Sequence, residues 1–109
     1  MEKRIIRDLF LGFMKVHLLH HAAQEAIYGT QMIEELGRHG YEVGPGTLYP
    51  VLHYMEKQGL LQSYERVVEG KVRRYYTATE AGKRLLREAR KRAKELVDEI
   101  WEVEEGGKL

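Results

Sequence analysis

Residues 44–50 read GPGTLYP and combine a helix start with groups that can contact phosphate. Pro45 suits the first position of a helix. A backbone N–H at that position would have no hydrogen-bond partner, and proline has no N–H. The next residues would leave free backbone N–H groups, the Thr47 hydroxyl and the Tyr49 phenol at an exposed helix N-terminus. Such an N-terminus suits a phosphate or the edge of a DNA groove better than a protein core.

Positive charge is concentrated in the second half of the chain. The net charge is only +1, but residues 63–94 carry eleven Lys or Arg and four acids, whereas residues 95–109 carry six acids and one Lys. A basic segment followed by an acidic tail is compatible with a polyanion-binding surface. For its helical part a second interpretation stays open, since pairs such as Glu88–Arg92 at i,i+4 also form an ordinary solvated face.

Three histidines, His17, His20 and His21, raise the question of a metal site. His17 and His21 are four residues apart, so a helix would bring both imidazoles to one face, where they can chelate. No Cys or acid nearby completes a tetrahedral set, and we therefore expect neither a metal site nor another cofactor. The alternative of a metal sensor that uses these histidines stays open. Because no Ser-His-Asp constellation, phosphate loop or paired-carboxylate motif stands out, we do not expect an enzyme.

The length and composition set the class of protein. One hundred and nine residues are enough for one domain, and the absence of Cys excludes disulfides, thiolate catalysis and Cys-ligated zinc. No stretch approaches the roughly 20 apolar residues that span a bilayer. The basic, apolar start of the chain is interrupted by charged residues and no small-residue cleavage site follows it. We expect a cytoplasmic protein that has no membrane partner.

Apolar residues recur at helical spacing in three segments of the first half of the chain. In residues 3–22 they form two stripes, which predicts a helix buried on a broad face. A shorter helix is predicted within residues 28–40, and a third runs from Pro45 to Gly59. These helices carry the histidines and the GPGTLYP segment.

The second half of the chain predicts a hairpin and a long helix. Residues 60–68 and 72–78 have strand-like composition, and Glu69-Gly70-Lys71 forms a short loop between them, with Gly supplying a positive φ. Thr79 is suited to cap the last helix. Three helices followed by a two-stranded hairpin describe a winged helix-turn-helix.

We therefore predict a mainly α fold with a two-stranded β-wing and a C-terminal dimerisation helix. The predicted divisions are a winged helix-turn-helix domain at 1–79, the dimerisation helix at 80–105 and a frayed tail at 106–109.

The predicted last helix has an apolar stripe at 3-4-3-4-3 spacing, which requires a partner helix. Two arrangements stay open: packing on the chain's own first helix, or pairing with a second copy. Both hold if the first helix of each subunit packs with the last helix of its mate. We predict a homodimer interface at Phe13, Leu86, Ala89, Ala93, Leu96, Ile100 and Val103.

Three strings resemble one known family: YGTQMIEEL at 28–36, GYEVGPGTLYPVLHYMEKQGLL at 40–61 and EGKVRRYYTATEAGKRLL at 69–86. They are similar to the PadR family of bacterial transcriptional regulators, with particular specificity in residues 45–50 and 74–82. The length resembles the compact branch of that family, which has one C-terminal helix. The resemblance implies a homodimeric, DNA-binding repressor whose operator affinity is changed by a ligand or signal.

The resemblance also implies which residues of the third helix contact operator DNA. Family members use the positions of Gly46, Thr47 and Tyr49, while Pro45 and His53 occupy the same exposed side of the helix. The alternative is that Tyr49 packs on the wing and that Thr47 only caps the helix. The family usually has Ser where this chain has Gly44, so a side-chain cap is missing at the start of the recognition helix.

The wing supplies three further cations, Lys71, Arg73 and Arg74. Side chains alternate between the two faces of a strand, so Arg73 and Arg74 cannot point the same way. Lys71 and Arg73 are the stronger candidates for phosphate contacts, and Arg74 is a candidate for pairing with an acid. The wing lacks the Pro that the family commonly has there.

Val97 and Trp101 are candidate ligand-binding residues on the last helix. Some members of the family resembled here bind flat aromatic compounds at the dimer interface, which implies a small aromatic effector. The alternative is that Trp101 only fills the interface.

The alternative to a DNA-binding function is a winged-helix module that binds a protein and no DNA. The cations at 71–74 beside an apolar-poor helix start favour a polyanion over such a partner.

Overall fold

A computed structural model describes residues 2–105, with side chains described as far as Glu102, and shows helices followed by a hairpin and a final helix. The elements in chain order are α1 (Glu2–Gln24), α2 (Gly29–Arg38), α3 (Pro45–Lys57), β1 (Leu61–Val68), β2 (Lys71–Ala78) and α4 (Glu80–Glu105). The predicted winged helix-turn-helix, mainly α with a two-stranded wing, is confirmed. Two predictions lie outside the described residues: the side chain of Val103 and the frayed tail at 106–109.

The start and end of α3 follow from local chemistry. Pro45 is its first residue, and Gly44 before it is extended, with φ −104° and ψ −179°, and provides no side-chain cap. At the other end Gly59 adopts a φ of 78°, which glycine tolerates without strain. Pro50 lies inside the helix, as predicted.

The hairpin is an antiparallel pair whose register runs from Leu61 opposite Ala78 to Val68 opposite Lys71. Its turn has only two residues, Glu69 and Gly70, with φ of 51° and 77°. Positive φ at both central residues is the signature of a type I′ turn, which matches the twist of the strands. The prediction that Lys71 belongs to the loop was wrong, because the shorter turn lets it pair in the ladder.

A third short segment joins this sheet and was not predicted. Ile27, in the connection between α1 and α2, forms an isolated antiparallel bridge with Tyr76. The two residues exchange backbone hydrogen bonds of 2.9 and 2.7 Å. The bridge ties the base of the wing to the start of α2, and both side chains are buried in the core.

The core lies where the second half of α1 meets α2, α3 and the base of the wing. Met14 and Leu18 of α1 are fully buried, as are Leu48, Leu52 and Met55 of α3. Val51, on the same helix, is only partly buried. This packing fixes the start of α3 and the wing relative to one another.

The first half of α1 is exposed in the single chain. Ile5, Ile6 and Leu9 are 60%, 62% and 51% accessible to solvent. The predicted broad buried face of α1 is therefore covered only in its second half within one chain, because none of the elements in residues 2–105 extends over its start. In the same way, every α4 residue from 91 to 102 is exposed. Within residues 2–105, no helix is long and apolar enough to cross a membrane.

Thr79 joins the start of α4 to the end of α3. Its hydroxyl accepts the N–H of Gly82 at 3.0 Å and donates to the carbonyl of Gly59 at 2.6 Å. The predicted N-cap is confirmed. Gly82 itself is buried against the backbone of Leu60, so α4 can begin close to the winged domain.

Candidate nucleic-acid interface

A groove of about 540 Å³ separates the wing from the starts of α2 and α3. We call it the wing groove. One wall is the hairpin from Val68 to Arg74, and the other is formed by Tyr28, Gly29, Thr30 and Tyr49. Four of the residues predicted to bind DNA line it: Tyr49, Lys71, Arg73 and Arg74. The fold therefore brings together side chains from α3 and from the wing that are separated by more than twenty residues in sequence.

The cations of the wing divide between two faces of β2, as alternation predicts. Lys71 is exposed at the mouth of the groove, and the Arg73 guanidinium lies 4.0 Å from the centre of the Tyr28 ring. That stacking holds the charge of Arg73 in the groove wall. Arg74 borders the groove as well, but its side chain lies on the opposite face of β2, where it donates to Ser63 at 2.9 Å and pairs with Glu65 at 3.4 Å. The expected pairing of Arg74 with an acid is confirmed.

Stacked aromatic rings hold the wing in this orientation. Tyr75 stacks on Tyr64 across the hairpin, with ring centroids 5.5 Å apart and planes 16° apart. The same ring meets the edge of Tyr28, also at 5.5 Å. Because Tyr28 precedes α2, the stack connects the wing to the helix-turn-helix by side chains as well as by the Ile27–Tyr76 bridge. The position of Arg73 over Tyr28 depends on it.

The remaining residues predicted on α3 lie outside the lining of the wing groove. Pro45, Gly46 and His53 are exposed along the helix, and Thr47 is half-buried. Thr47 donates its backbone N–H to the Gly44 carbonyl at 3.1 Å, within the first turn. His53 follows Tyr49 by one helical turn, so the two side chains lie on one face.

Tyr49 packs on α2 as well as facing the wing. Its ring lies directly over Gly29, whose backbone is buried beneath it. Gly29, Tyr28 and Thr30 were not predicted as part of the site. The sequence signal that could have indicated them is the Tyr28-Gly29 pair just before a short helix. In the structure the Gln31 side chain accepts the Tyr28 N–H at 3.2 Å, which marks a second helix N-terminus at the groove.

A second feature is a cleft between α1 and α4, with a volume of about 580 Å³. Phe13, Val16 and His17 line it from α1, and Leu86, Arg87, Arg90 and Ala93 from α4. Leu86 is partly buried against the core and Ala89 is half-buried, whereas Phe13 is 50% exposed. Within one chain, the first residues of the α4 stripe thus pack beside the chain's own α1. This is one of the two arrangements left open above.

Beyond this cleft the stripe on α4 is uncovered. Leu96 and Ile100 are 56% and 48% exposed, and Val97 and Trp101 lie beside them at 47% and 55%. Val97 and Trp101 line a shallow depression with Asp98 and Glu102. The predicted Glu88–Arg92 pair forms at 2.9 Å on another part of the helix.

The histidines of α1 occupy two different surroundings. His17 and His21 are half-buried and face the end of α2, where His39 lies. Burial is the main cause that lowers the pKa of both His17 and His21. His20 is exposed and lies 3.3 Å from the Gln24 amide. The Arg38 side chain, hydrogen bonded to Glu35 at 2.8 Å, lowers the pKa of that carboxyl.

A helix-turn-helix flanked by a cationic wing defines a winged-helix protein of the DNA-binding class. The chain belongs to the Transcriptional regulator PadR-like family, which matches residues 18–88. The family consists of transcriptional regulators and not enzymes, in agreement with the absence of catalytic motifs. The predicted resemblance is confirmed.

Individual relatives support the same assignment. The chain is 47% identical over 95 residues to transcriptional regulator Rv3488 of Mycobacterium tuberculosis (strain ATCC 25618 / H37Rv), covering 87% of this chain and 89% of the relative. Among solved structures it is similar to a PadR family transcriptional regulator from Eggerthella lenta DSM 2243, with 31% identity, a TM-score of 0.78 and coverage of 93% and 89%. A PadR-like regulator from Bacillus cereus strain ATCC 14579 has 26% identity, a TM-score of 0.77 and coverage of 84% and 91%.

Proposed function

We propose that the chain is a homodimeric, sequence-specific DNA-binding repressor that a small aromatic ligand releases from its operator. The observation that carries this proposal is the wing groove, in which Tyr49 of α3 faces Lys71 and Arg73 of the wing. A cationic wall opposite a helix N-terminus suits a DNA backbone that runs beside a major groove. Binding to DNA would make the cytoplasm its site of action.

Each part of the interface has a proposed role. Lys71 and Arg73 contact phosphates, while Gly46, Thr47 and Tyr49 approach the operator from the start of α3, flanked by Pro45 and His53. Arg74 also contributes, because its pair with Glu65 is about half exposed and such pairs contribute little stability, so phosphate can replace the carboxylate.

The uncovered apolar surfaces support a homodimer. Phe13 on α1 and Leu96 and Ile100 on α4 are each about half exposed in one chain. Contiguous exposed apolar side chains on a long helix are characteristic of an interface. In the proposed dimer, Leu86, Ala89, Ala93, Leu96, Ile100 and Val103 form the α4 side. A two-fold axis would then place two recognition helices about one helical turn of DNA apart.

The ligand is proposed to stack on Trp101 beside Val97. Trp101 is the only Trp of the chain, so the tryptophan fluorescence of the protein reports on this position. Titration with planar aromatic compounds should quench or shift the emission and should weaken operator binding at the same concentrations. A parallel titration of free N-acetyltryptophanamide controls for absorption of light by the compound. Emission that none of the compounds alters would remove the ligand from the proposal.

DNA binding is tested by fluorescence anisotropy with a labelled duplex from upstream of the chain's own coding region, over a series of salt concentrations. Lys71→Ala combined with Arg73→Ala should weaken binding to specific and unrelated duplexes alike. It should also reduce the slope of log affinity against log salt by about 1.8, for two phosphates. The control is Arg84→Ala with Lys91→Ala, which removes two exposed cations of α4 that do not line the groove.

The alternative function is a winged-helix module that binds a protein. It predicts that the wild-type chain binds none of these duplexes even at low salt. An unchanged salt slope in the wing variant, with wild-type binding intact, would instead contradict the role of the wing alone.

A further inference from the structure

Three imidazoles converge where α1 passes the C-terminal end of α2. His17, His21 and His39 each present a ring nitrogen, and these three atoms all lie within 4.8 Å of one another. The rings of His17 and His39 are 5.1 Å apart and tilted by 32°. From sequence, only the pair on α1 was visible; His39 joins it through the packing of α2 against α1.

The spacing of the three nitrogens is close to that of a metal-binding set. In a tetrahedral zinc site the nitrogens lie about 2.0–2.1 Å from the ion, which places them about 3.3 Å from one another. The site needs a contraction of at most about 1.5 Å between any two of these nitrogens, by this geometry. His39 is exposed, so rotation of its side chain can provide that movement without disturbing the core. Three imidazoles leave a fourth position for water or another ligand.

The surroundings of His39 are also suited to a cation. The Glu35 carboxylate lies 3.1 Å from His39 Nε2, the arrangement in which a carboxylate orients a metal-bound imidazole. His39 is moreover the C-cap of α2, and the C-terminal end of a helix carries partial negative charge. A structural role alone is the competing explanation, because His17 also meets the Tyr41 ring edge at 5.1 Å.

We propose that His17, His21 and His39 form a binding site for one divalent transition metal ion per chain, with Glu35 orienting His39. Imidazole sets of this kind select Zn²⁺, Cu²⁺, Ni²⁺ or Co²⁺ over Mg²⁺ and Ca²⁺, which prefer oxygen ligands. The bound ion connects α1 to the last turn of α2. None of the three histidines lines the wing groove, so metal binding is measurable in the absence of DNA and is independent of the proposed operator binding.

The test is a titration of the untagged, chelator-treated full chain with Co²⁺, whose visible absorption reports tetrahedral coordination. One Co²⁺ per chain should bind with tetrahedral absorption, and Zn²⁺ should displace it. His39→Ala should weaken Co²⁺ at least tenfold, and Glu35→Gln should weaken it by about 10–100-fold. His20→Ala is the matched control, since His20 lies on the same helix but outside the cluster, and it should leave the affinity within about twofold.

Thermal unfolding of each variant without metal shows that the variant is folded, and the same measurement with Zn²⁺ provides a second readout. Zn²⁺ should raise the melting temperature of the wild type and of His20→Ala, but not that of His39→Ala. Absence of tetrahedral Co²⁺ absorption in the wild type would overturn the site. Equal losses in His20→Ala and His39→Ala would overturn it as well, because they would show diffuse binding to surface histidines.

Discussion

The ring of Tyr49 lies directly against the backbone of Gly29, so that a side chain at position 29 would overlap its hydroxyl and ring carbons. This contact joins the first residue of α2 to the start of α3 and shapes one wall of the wing groove. Glycine is favoured at position 29 because of this close approach and not because of an unusual φ, since a Cβ there would push the exposed Tyr49 ring away.

We predict that Gly29→Ala weakens operator affinity on the order of tenfold, which corresponds to about 1.4 kcal/mol. The added methyl group must displace Tyr49 or separate α2 from α3, and either change moves the phenol away from the cationic wall. Anisotropy with labelled operator DNA measures the effect. Gly37→Ala is the control, because Gly37 is also in α2 but has open space around its Cα. The control should keep wild-type affinity and gain about 0.5–1 kcal/mol of stability.

A double-mutant cycle with Tyr49→Phe tests whether the two residues are coupled. Gly29→Ala should also lower the free energy of unfolding, because its methyl group overlaps the Tyr49 ring. Removing the Tyr49 hydroxyl relieves the closest part of that overlap, so Tyr49→Phe should recover part of this loss. Strictly additive effects on the free energy of unfolding would contradict the proposed contact.

A second glycine, Gly82, is required at the junction of the winged domain and α4. A Cβ there would overlap the Leu60 carbonyl oxygen and lie 3.3 Å from Leu19 Cδ2. Ala normally stabilises a helix relative to Gly, but we predict that Gly82→Ala destabilises the protein by about 1–3 kcal/mol, as overpacked sites do. Urea unfolding measures this, with Gly37→Ala as the helical control of opposite sign. A gain in stability would show that α4 can move away from Leu60 at little cost.

The elements whose limits are set by neighbouring residues could be predicted from the sequence. Pro45 and Gly59 mark the two ends of α3, and Thr79 caps α4, because helix starts and stops depend on the chemistry of a few adjacent residues. The resemblance to the family also allowed Tyr49 and the wing cations to be predicted as site residues, and the fold places them in one groove.

Features created by packing between distant segments could not be predicted in the same way. His39 lies close to His17 only because the C-terminal end of α2 packs against one particular part of α1. The local sequence around His39 does not indicate where along α1 that contact falls. The Tyr28 stack with the wing depends in the same way on the bridge between Ile27 and Tyr76. The exposure of Ile5 could not be anticipated either, because apolar periodicity shows that a face must be covered without showing which chain covers it.

The turn of the wing contains a strained residue. Glu69 has a φ of 51°, in the left-handed region that costs a residue with a side chain about 1 kcal/mol or more. Asn-Gly is the preferred pair for a type I′ turn, so Glu69→Asn should stabilise the protein by about 0.5–1 kcal/mol. It also removes a negative charge from the lining of the groove, which should strengthen DNA binding at low salt more than at high salt.

Glu69→Gln separates these two effects, since it removes the charge and leaves the strain. It should reproduce the gain in DNA affinity without the gain in the free energy of unfolding. If Glu69→Gln raises the free energy of unfolding as much as Glu69→Asn does, then charge repulsion at Glu69, and not backbone strain, is what destabilises this turn.

The apolar stripe of α4 gives the most direct test of the dimer. Leu96 and Ile100 are about half exposed in one chain and pack on no part of its buried core, so their replacement should leave the fold of a single chain intact. We predict that Leu96→Glu combined with Ile100→Glu reduces the mass in sedimentation equilibrium from that of a dimer to that of one chain. Carboxylates facing each other across the interface would lose hydration and repel one another.

The same variant should bind a two-half-site operator far more weakly than the wild type, while its affinity for a single half-site changes little, because only the linkage between two recognition helices is lost. Lys91→Glu is the control, since it adds negative charge to α4 away from the stripe and should leave both mass and affinity for long operators near their wild-type values. A variant with Leu96→Glu and Ile100→Glu that still sediments as a dimer would assign the interface to other residues. The exposed start of α1, with Ile5, Ile6 and Leu9, would then be the next surface to replace.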